Sequence, residues 1–486
     1  MANKKNKPPS PSPSPPPSAG LAPSTWASAH GRGTPSPDTR PRRTSLIAQL
    51  QMRRSSGVLG FASKALAICL LLFFLSTGAY GGMITGFTNG FFAALTRIKT
   101  DPSVVQGGYE PKEEFTGVKA VDQVLVMLVT FFAAWLDAGG PMEGTTWEEE
   151  TWEAPWLEGL VKRREGMQRG RTWDVDVPLW MAMVQFAGAW ALVSVEGARR
   201  GNQGRVVGWM GFWGMGMQLL SYTIAGPIYF SIYLVTSPVA SGSDVDALVV
   251  DGWEMAMLPV CVTMAFIVPA FMMGLPSPRM PQAEHQNWIA TWQVFPILQA
   301  NLIFFLKSLC GSSGAGAEGR HSSRVTNGEK AAGASPVYRF TMTLCIVAQL
   351  AFLAIALVPP TALPESLAAS SPWLSTMLRE VSIGSALPRA LWNPPSTDTA
   401  SPIRIAYLAP LAKHFLQWDV YSGNFALLTW AAYQYWAAGV GGFKRFGKAL
   451  GWFVLGGPVS TAAYLLWERD EAVIERQDER GRRRSR

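Results

Sequence analysis

The segment Phe340–Pro364, FTMTLCIVAQLAFLAIALVPPTALP, decides the fold class because it runs for 25 residues without a charged side chain. An α-helix needs about 20 apolar residues to cross the hydrocarbon core of a bilayer. Seven further uncharged stretches have about that length or more: Ala65–Thr96, Val177–Val195, Val206–Ser243, Met255–Pro278, Gln286–Leu306, Val420–Phe443 and Ala449–Trp467. The sequence therefore predicts an all-α, polytopic transmembrane helical bundle.

The composition agrees with this fold class. Of the 486 residues, 48% are apolar and 16% are charged, whereas soluble domains carry about 25% charged residues. The mean hydropathy of +0.12 is modest because polar tails and loops dilute the apolar stretches. We expect three regions: a disordered, basic Pro/Ser-rich tail over residues 1–56, a transmembrane helical domain over 57–468, and a charged C-terminal tail over 469–486.

The number of membrane passes is expected to be nine or ten. Ala120–Leu136 adds a further span, and Ala65–Thr96 forms either one span plus a short piece or a tight hairpin about Gly81-Gly82. Pro227 is expected to kink the long span over residues 207–235. The basic N-terminal tail favours a cytoplasmic N-terminus, although the charged loops do not settle whether the number of passes is odd or even.

Several common chemistries lack their sequence motifs. The four cysteines show no CxxC spacing, and no DDxxD, GxxxxGK[ST], HExxH or GxSxG motif is present. We therefore expect no cofactor and no metal site. The basic tails of a membrane protein usually contact anionic lipid, so a nucleic-acid partner is not expected.

Ionisable residues in or beside the apolar stretches are the first functional candidates, because a charged group is costly to place in a membrane. They are Asp122, Glu196, Glu254, His285 and Asp419. Each could instead lie at the membrane interface, hydrated by lipid headgroups. Glu196 has a further alternative, because a pairing with the nearby Arg199 or Arg200 would make it a structural anchor.

Polar and aromatic neighbours strengthen some of these candidates. Asp419 lies among Gln417, Trp418, Tyr421 and Asn424, and Gln293 follows His285 on one predicted helix. Aromatic residues also recur along two predicted spans: Trp209, Trp213, Tyr222, Tyr229 and Tyr233 on one, and Trp430, Tyr433, Tyr435 and Trp436 on the other. They form either an aromatic belt with helix packing, or a cavity whose ring faces stabilise a carbocation by about 2 kcal/mol each.

Four stretches carry a resemblance to a known family: VEGARRGN at 195–202, GPIYFSIYLVTSP at 226–238, HQNWIATWQVFP at 285–296 and QWDVYSGN at 417–424. They resemble a family of fungal integral-membrane proteins encoded in indole-diterpene and meroterpenoid gene clusters. Some members of that family are membrane-bound terpene cyclases. The resemblance covers about residues 60–467.

The resemblance implies a metal-independent cyclase that protonates an epoxide or olefin of a prenyl chain, after which the chain closes into rings. Asp419 or Glu196 would be the acid. The substrate-binding residues would be Trp418, Tyr421, Asn424, Trp430, Trp209, Tyr222, His285, Gln293 and Asp122. The partners would be the lipid bilayer, a hydrophobic prenylated substrate and other enzymes of the pathway, with the endoplasmic reticulum as the expected location.

Two other functions stay open on the sequence alone. A transporter of a hydrophobic metabolite would need a polar pathway through the bundle, and no internal repeat supports one. A non-catalytic membrane scaffold would use the Pro-rich tail to dock pathway enzymes. Deleting residues 1–56 separates the scaffold from a cyclase, because a cyclase should tolerate the loss.

Overall fold

The structure is a computed structural model. It describes residues 58–106, 109–136, 177–242, 244–275, 280–311, 332–358, 403–404, 408–440 and 443–484, together with a few isolated residues between 359 and 407 and residue 486. The predicted disordered tail over residues 1–56 lies outside these ranges.

The described part of the chain contains thirteen α-helices of six residues or more. They are α1 (Val58–Gly78), α2 (Phe91–Thr100), α3 (Lys119–Leu136), α4 (Val177–Ala198), α5 (Met210–Leu220), α6 (Tyr222–Thr236), α7 (Gly252–Val262), α8 (Val268–Met273), α9 (Gln282–Gln293), α10 (Phe295–Gly311), α11 (Ser335–Leu357), α12 (Ala409–Ala437) and α13 (Phe443–Arg484). Two-residue strands, β1 (Val105–Gln106) and β2 (Ile403–Arg404), pair in parallel. The all-α class is confirmed.

Six helical segments are long and apolar enough to span a membrane: Gly60–Thr88, Lys119–Leu136, Trp180–Ala198, Val245–Met273, Ser335–Leu357 and Arg445–Arg483. The bent pair α9 and α10, with an angle of 70° between its helices, would make seven if it counts as one span. The predicted nine or ten passes are therefore not confirmed in the described part of the chain. Its six apolar helices nevertheless agree with a membrane protein.

Two predicted spans account for part of the difference. The span over 207–235 is interrupted at Ser221, which leaves α5 with 11 residues and α6 with 15. The break precedes Pro227, where the sequence predicts a kink. The span over 424–440 belongs to α12, whose 29 residues include several polar side chains and lie in the middle of the bundle. A helix surrounded by other helices can carry polar groups that lipid would exclude.

Helix α12 is the centre of the bundle. It contacts α1, α3, α4, α6 and α13, and the side chains of Ala426, Leu427, Trp430 and Ala431 are completely buried. Residues three and four apart lie on one face of a helix, so these four form a continuous packing surface.

The C-terminal helix α13 extends to Arg484 and includes a non-helical residue, Gly457, just before Pro458. The charged tail predicted from residue 469 therefore begins inside this helix. Arg469 and Asp470, its first two residues, are 0% and 3% exposed. They belong to a buried ion-pair network.

Candidate active site

Asp419 binds the start of helix α6 from the neighbouring helix α12. Its Oδ1 accepts hydrogen bonds from Ser221 Oγ at 2.5 Å and from the backbone N–H of Thr223 at 2.6 Å. The first N–H groups of a helix have no partner within the helix, and a carboxylate is a favourable acceptor for them. Asp419 therefore performs the capping that a residue of α6 itself would normally perform.

The break that Asp419 caps has a strained backbone. Ser221 has a φ of 83°, and it is the only residue other than glycine with a positive φ in the described part of the chain. With a ψ of 148° it lies in a region that almost only glycine adopts, which costs roughly 1–3 kcal/mol. Strain of this kind persists only where the surrounding structure holds it, and it is concentrated at functional sites.

Three helices approach each other closely beside this break. A Cβ atom added to Gly423 of α12 would lie 2.4 Å from the Tyr222 ring, and one added to Gly78 of α1 would lie 1.6 Å from Thr223 Oγ1. Within the described residues, Tyr222 Oη, Thr223 Oγ1 and Asn424 Oδ1 are buried without a hydrogen-bond partner. The region thus presents polar atoms that a bound molecule can satisfy.

An aromatic cluster begins at Tyr222 and surrounds Phe186 of α4. We call it the Phe186 cluster, and its members are Phe186, Tyr222, Phe266, Trp292 and Phe295. The Phe186 ring stacks on Tyr222 with centroids 4.9 Å apart, and it meets Phe266, Phe295 and Trp292 edge-on at 5.4, 6.0 and 6.4 Å.

The Phe186 cluster collects side chains from three interrupted helices. Tyr222 follows the break at Ser221, Phe266 lies in the π-helical turn Thr263–Ile267, and Trp292 and Phe295 flank the bend at Val294. π-helical turns occur frequently at functional sites, and interrupted membrane helices often build binding sites. The convergence of three interruptions on one cluster, with Asp419 beside it, defines the candidate active site.

Glu196, the other predicted acid, lies in a different environment. Its carboxylate accepts hydrogen bonds from Arg199 Nε at 2.8 Å, from Arg469 Nη2 at 2.7 Å and from the Tyr233 hydroxyl. Glu196, Arg199 and Arg469 are all 0% exposed. Charge-assisted hydrogen bonds of this kind are the strong ones in proteins.

The two arginines extend this group into a network of four charged residues. Arg199 Nη2 donates to Asp470 at 2.6 Å and to the Tyr338 hydroxyl at 2.7 Å, and Arg469 Nη2 donates to Asp470 at 2.7 Å. We call Glu196, Arg199, Tyr233, Tyr338, Arg469 and Asp470 the Glu196 network. Two positive and two negative charges balance within it. The pairing with Arg199 matches the alternative of a structural anchor that the sequence leaves open.

The remaining predicted site residues divide between these two regions and others. Trp418 and Tyr421 are half-buried beside Asp419 on α12. Trp430 instead contacts Phe230 and Tyr233, each with ring centroids 5.0 Å apart, and so lies next to the Glu196 network. Gln293, whose carbonyl oxygen accepts from Gln218 at 3.3 Å, is adjacent in sequence to Trp292 of the Phe186 cluster.

Three other predicted residues have local roles in the structure. Asp122 accepts hydrogen bonds from the backbone N–H groups of Thr116 and Gly117 at 2.8 and 3.0 Å, which fixes the turn before α3. A ring nitrogen of His285 lies 2.5 Å from the Met273 carbonyl oxygen. Trp209 is 57% exposed at the start of α5. None of these contacts connects the three residues to Asp419.

Ser221, Phe186 and Phe266 were not predicted from the sequence, and Arg469 and Asp470 were predicted to lie in a tail. Ser221 and the two phenylalanines lie inside apolar stretches, where no local pattern distinguishes them. Arg469 and Asp470 had a usable signal, because only Glu468 separates them from the uncharged stretch that ends at Trp467. Within the described residues, no group of three or more His, Cys, Asp or Glu side chains could hold a metal ion.

Comparison with known proteins gives one family and several relatives. The CtvD domain matches residues 170–474. The chain is 25% identical to terpene cyclase ascI of Acremonium egyptiacum over 64% of this chain and 76% of the relative, and 25% identical to terpene cyclase atmA of Aspergillus flavus over 82% and 95%. It is 23% identical to terpene cyclase verU1 of Penicillium polonicum over 50% and 57%. No solved structure matches the chain.

Proposed function

Because the chain belongs to the CtvD-domain family and its relatives are fungal terpene cyclases, we propose that it cyclises a prenylated precursor within the membrane. The family resemblance seen in the sequence is confirmed by these relatives, and they support terpene cyclase activity. The substrate class, a meroterpenoid or indole-diterpene precursor, and the acid-initiated mechanism are our proposals. A prenylated substrate is itself soluble in lipid, which explains a site among membrane helices.

One observation carries the assignment of the acid. Asp419 touches the start of α6, and the next residue after the break, Tyr222, belongs to the Phe186 cluster. In the described part of the chain, no arginine or lysine forms an ion pair with Asp419, whereas Glu196 is bound by two arginines. Asp419 is therefore the better candidate for a proton donor beside aromatic rings.

The proposed reaction consumes a proton at its start and releases one at its end. Asp419 donates its proton to the epoxide oxygen or the terminal olefin of the prenyl chain. Each double bond then attacks the cationic carbon and closes a ring, until loss of a proton leaves an alkene. The product is an isomer of the substrate, which classes the enzyme as an isomerase or lyase. A proton donor of this kind must be a neutral carboxylic acid, which apolar surroundings favour.

The aromatic residues stabilise the cation along its path. Ring faces of the Phe186 cluster attract a desolvated cation, each by about 2 kcal/mol. Trp418 and Tyr421, half-buried beside Asp419, are proposed to flank the position of the first cation. The hydrogen bonds from Ser221 and Thr223 both go to Oδ1 of Asp419, so we propose that the second oxygen, Oδ2, carries and donates the proton.

The test is expression of the intact chain in microsomes, with epoxidised and plain prenylated aromatic compounds as substrates. We expect a product of unchanged mass and shifted retention time. Asp419→Asn should abolish the product and retain the fold, because an Asn side chain also accepts hydrogen bonds from the start of a helix. An active Asp419→Asn variant would remove Asp419 from the mechanism.

The alternatives predict other results in the same experiment. A transporter would give no isomer with any substrate of the panel, and a scaffold would lose its effect on partner enzymes when residues 1–56 are deleted. A cyclase keeps its activity after that deletion. We also propose the endoplasmic reticulum as the location, which fluorescence microscopy of the tagged chain would test.

A further inference from the structure

A groove between α4, α5, α7 and α10 has no part in the proposed chemistry. Its volume is about 190 Å³, and its walls include Trp190, Ser194, Met210, Glu254, Gln299 and Ala300. None of the residues predicted from the sequence to bind substrate lines it. Ligand pockets for whole drug-sized molecules have volumes of about 300–1,000 Å³. The groove can therefore hold only part of a prenylated molecule.

Three polar groups that line the groove are joined by hydrogen bonds. Trp190 Nε1 donates to Gln299 Oε1 at 2.7 Å, and Gln299 Nε2 donates to Ser194 Oγ at 3.2 Å. All three side chains are at most 5% exposed. These hydrogen bonds hold the Trp190 ring in place as a flat wall, which suits a planar ligand.

Glu254 lines the groove, and together with Asp251 and Lys307 it forms a charged cluster with a net negative charge. Lys307 Nζ donates to Glu254 at 2.7 Å and to Asp251 at 2.9 Å, so one ammonium group faces two carboxylates. The Lys307 side chain is 50% exposed and that of Glu254 is 29% exposed. A ligand with a negative headgroup would be repelled here, whereas a neutral group with an O–H or N–H can donate to Glu254.

The groove lies directly against the candidate active site, with the Trp190 ring between them. The Trp190 ring meets Phe295 of the Phe186 cluster edge-on at 5.4 Å, and this cluster extends to Tyr222, beside Asp419.

We propose that this groove binds the neutral, hydrogen-bond-donating aromatic head of the substrate, a phenol or an indole. This inference rests on the proposed function for the identity of the substrate. The groove selects against prenyl diphosphates through the charge of Asp251 and Glu254. Glu254 would therefore contribute to substrate specificity.

The first test fills the groove. Ala300 lines it and is exposed, so Ala300→Phe adds a ring there without disturbing the buried core. Ile297 is 45% exposed on the same helix and does not line the groove, which makes Ile297→Phe the matched control. Binding of radiolabelled farnesylphenol to the full chain in lipid nanodiscs is measured at equilibrium. We expect the Kd to rise about tenfold in Ala300→Phe, or about 1.4 kcal/mol, and to stay unchanged in Ile297→Phe.

The second test examines the net charge of the cluster around Glu254. Farnesyl diphosphate should compete with farnesylphenol at least about tenfold more weakly than unlabelled farnesylphenol does. Glu254→Gln removes one negative charge, so farnesyl diphosphate should compete more strongly in this variant than in the unmodified chain. Equal competition by the two compounds in the unmodified chain would overturn the selectivity.

The results separate this inference from the proposed function. Weaker binding in Ala300→Phe alone supports the groove even if the unmodified chain converts no substrate. If the unmodified chain converts a substrate and both phenylalanine variants bind farnesylphenol as tightly as it does, the proposed function stands. The groove is then excluded as the binding site of the aromatic head. Absence of any farnesylphenol binding also excludes it.

Discussion

Asp419 and Glu196 both have carboxyl groups inside a helical bundle, yet their hydrogen-bond partners differ. Asp419 receives its hydrogen bonds from Ser221 and Thr223, at the interrupted start of one helix. Glu196 receives its bonds from two arginines and a tyrosine, and those arginines also bind Asp470. The Glu196 network therefore connects α4, α6, α11 and α13, whereas Asp419 fixes one local turn.

The energies of the two arrangements differ accordingly. Removing one partner of a buried ion pair costs about 3–5 kcal/mol, because the remaining charge is left uncompensated. Loss of a helix cap costs about 1 kcal/mol. A chain with a typical stability of 5–15 kcal/mol can lose the cap and remain folded, but it loses a large part of its stability with the network. A catalytic role is therefore more compatible with the stability of the fold at Asp419 than at Glu196.

A second interruption shows what a purely structural cap looks like. At Gly457 of α13, Gln185 of α4 donates to the Gly456 carbonyl at 2.8 Å and accepts from Val459 N–H at 3.4 Å. A neutral amide is enough for this purpose, and glycine adopts its positive φ of 73° without strain. The break at Ser221 has an ionisable cap and a strained serine instead, which a simple interruption does not require.

The largest effect is expected from Asp419→Asn. Loss of a general acid lowers the rate by about 10²–10⁴-fold, while the Asn side chain keeps the cap of α6. Product formation in microsomes measures the rate, and the melting temperature of the purified chain measures the fold. A fall in melting temperature that matches the fall in activity would make Asp419 structural.

Arg469→Met should have the largest effect on stability. It leaves Glu196 and Asp470 buried beside a missing partner, so the free energy of unfolding should fall by about 3–5 kcal/mol. Arg445 on the same helix pairs with Glu468 at 3.5 Å and is 42% exposed, so Arg445→Met should cost at most about 1 kcal/mol. Thermal unfolding in detergent compares the two variants. Similar losses would mean that the Glu196 network is not the anchor of the bundle.

The all-α class could be predicted from the uncharged stretches, because the bilayer requires long apolar helices whatever they later contact. Asp419 could be selected as a functional candidate from its polar and aromatic neighbours in sequence, whereas its role as an acid is implied only by the family resemblance. The positive φ of Ser221 could not be predicted, since it depends on contacts with α12. The pairing of Arg469 with Glu196 joins residues far apart in the chain, and a charged stretch near the end resembles a solvated tail.

Gln185→Leu tests whether every cap in the bundle is equivalent. It leaves the Gly456 carbonyl and the Val459 N–H without their side-chain partner, which should cost about 1–3 kcal/mol. The rate per folded molecule should stay unchanged, because the Gln185 side chain bonds to the backbone of α13, whereas Asp419 bonds to the start of α6. Quantifying the folded fraction by size-exclusion chromatography normalises the rate. A normalised rate as low as that of Asp419→Asn would contradict a special role for Asp419.

The smallest effect concerns Ser221 itself, through a pair of substitutions. Ser221→Gly and Ser221→Ala both remove the hydrogen bond from Oγ to Asp419, so any change in rate from the loss of that bond should be the same in both. Only glycine also relieves the positive φ, and the Gly variant should therefore be more stable than the Ala variant by about 1 kcal/mol. The difference in melting temperature between them measures the backbone strain alone. Equal melting temperatures would show that the break is not strained, and the contrast with Gly457 would then rest on the ionisable cap alone.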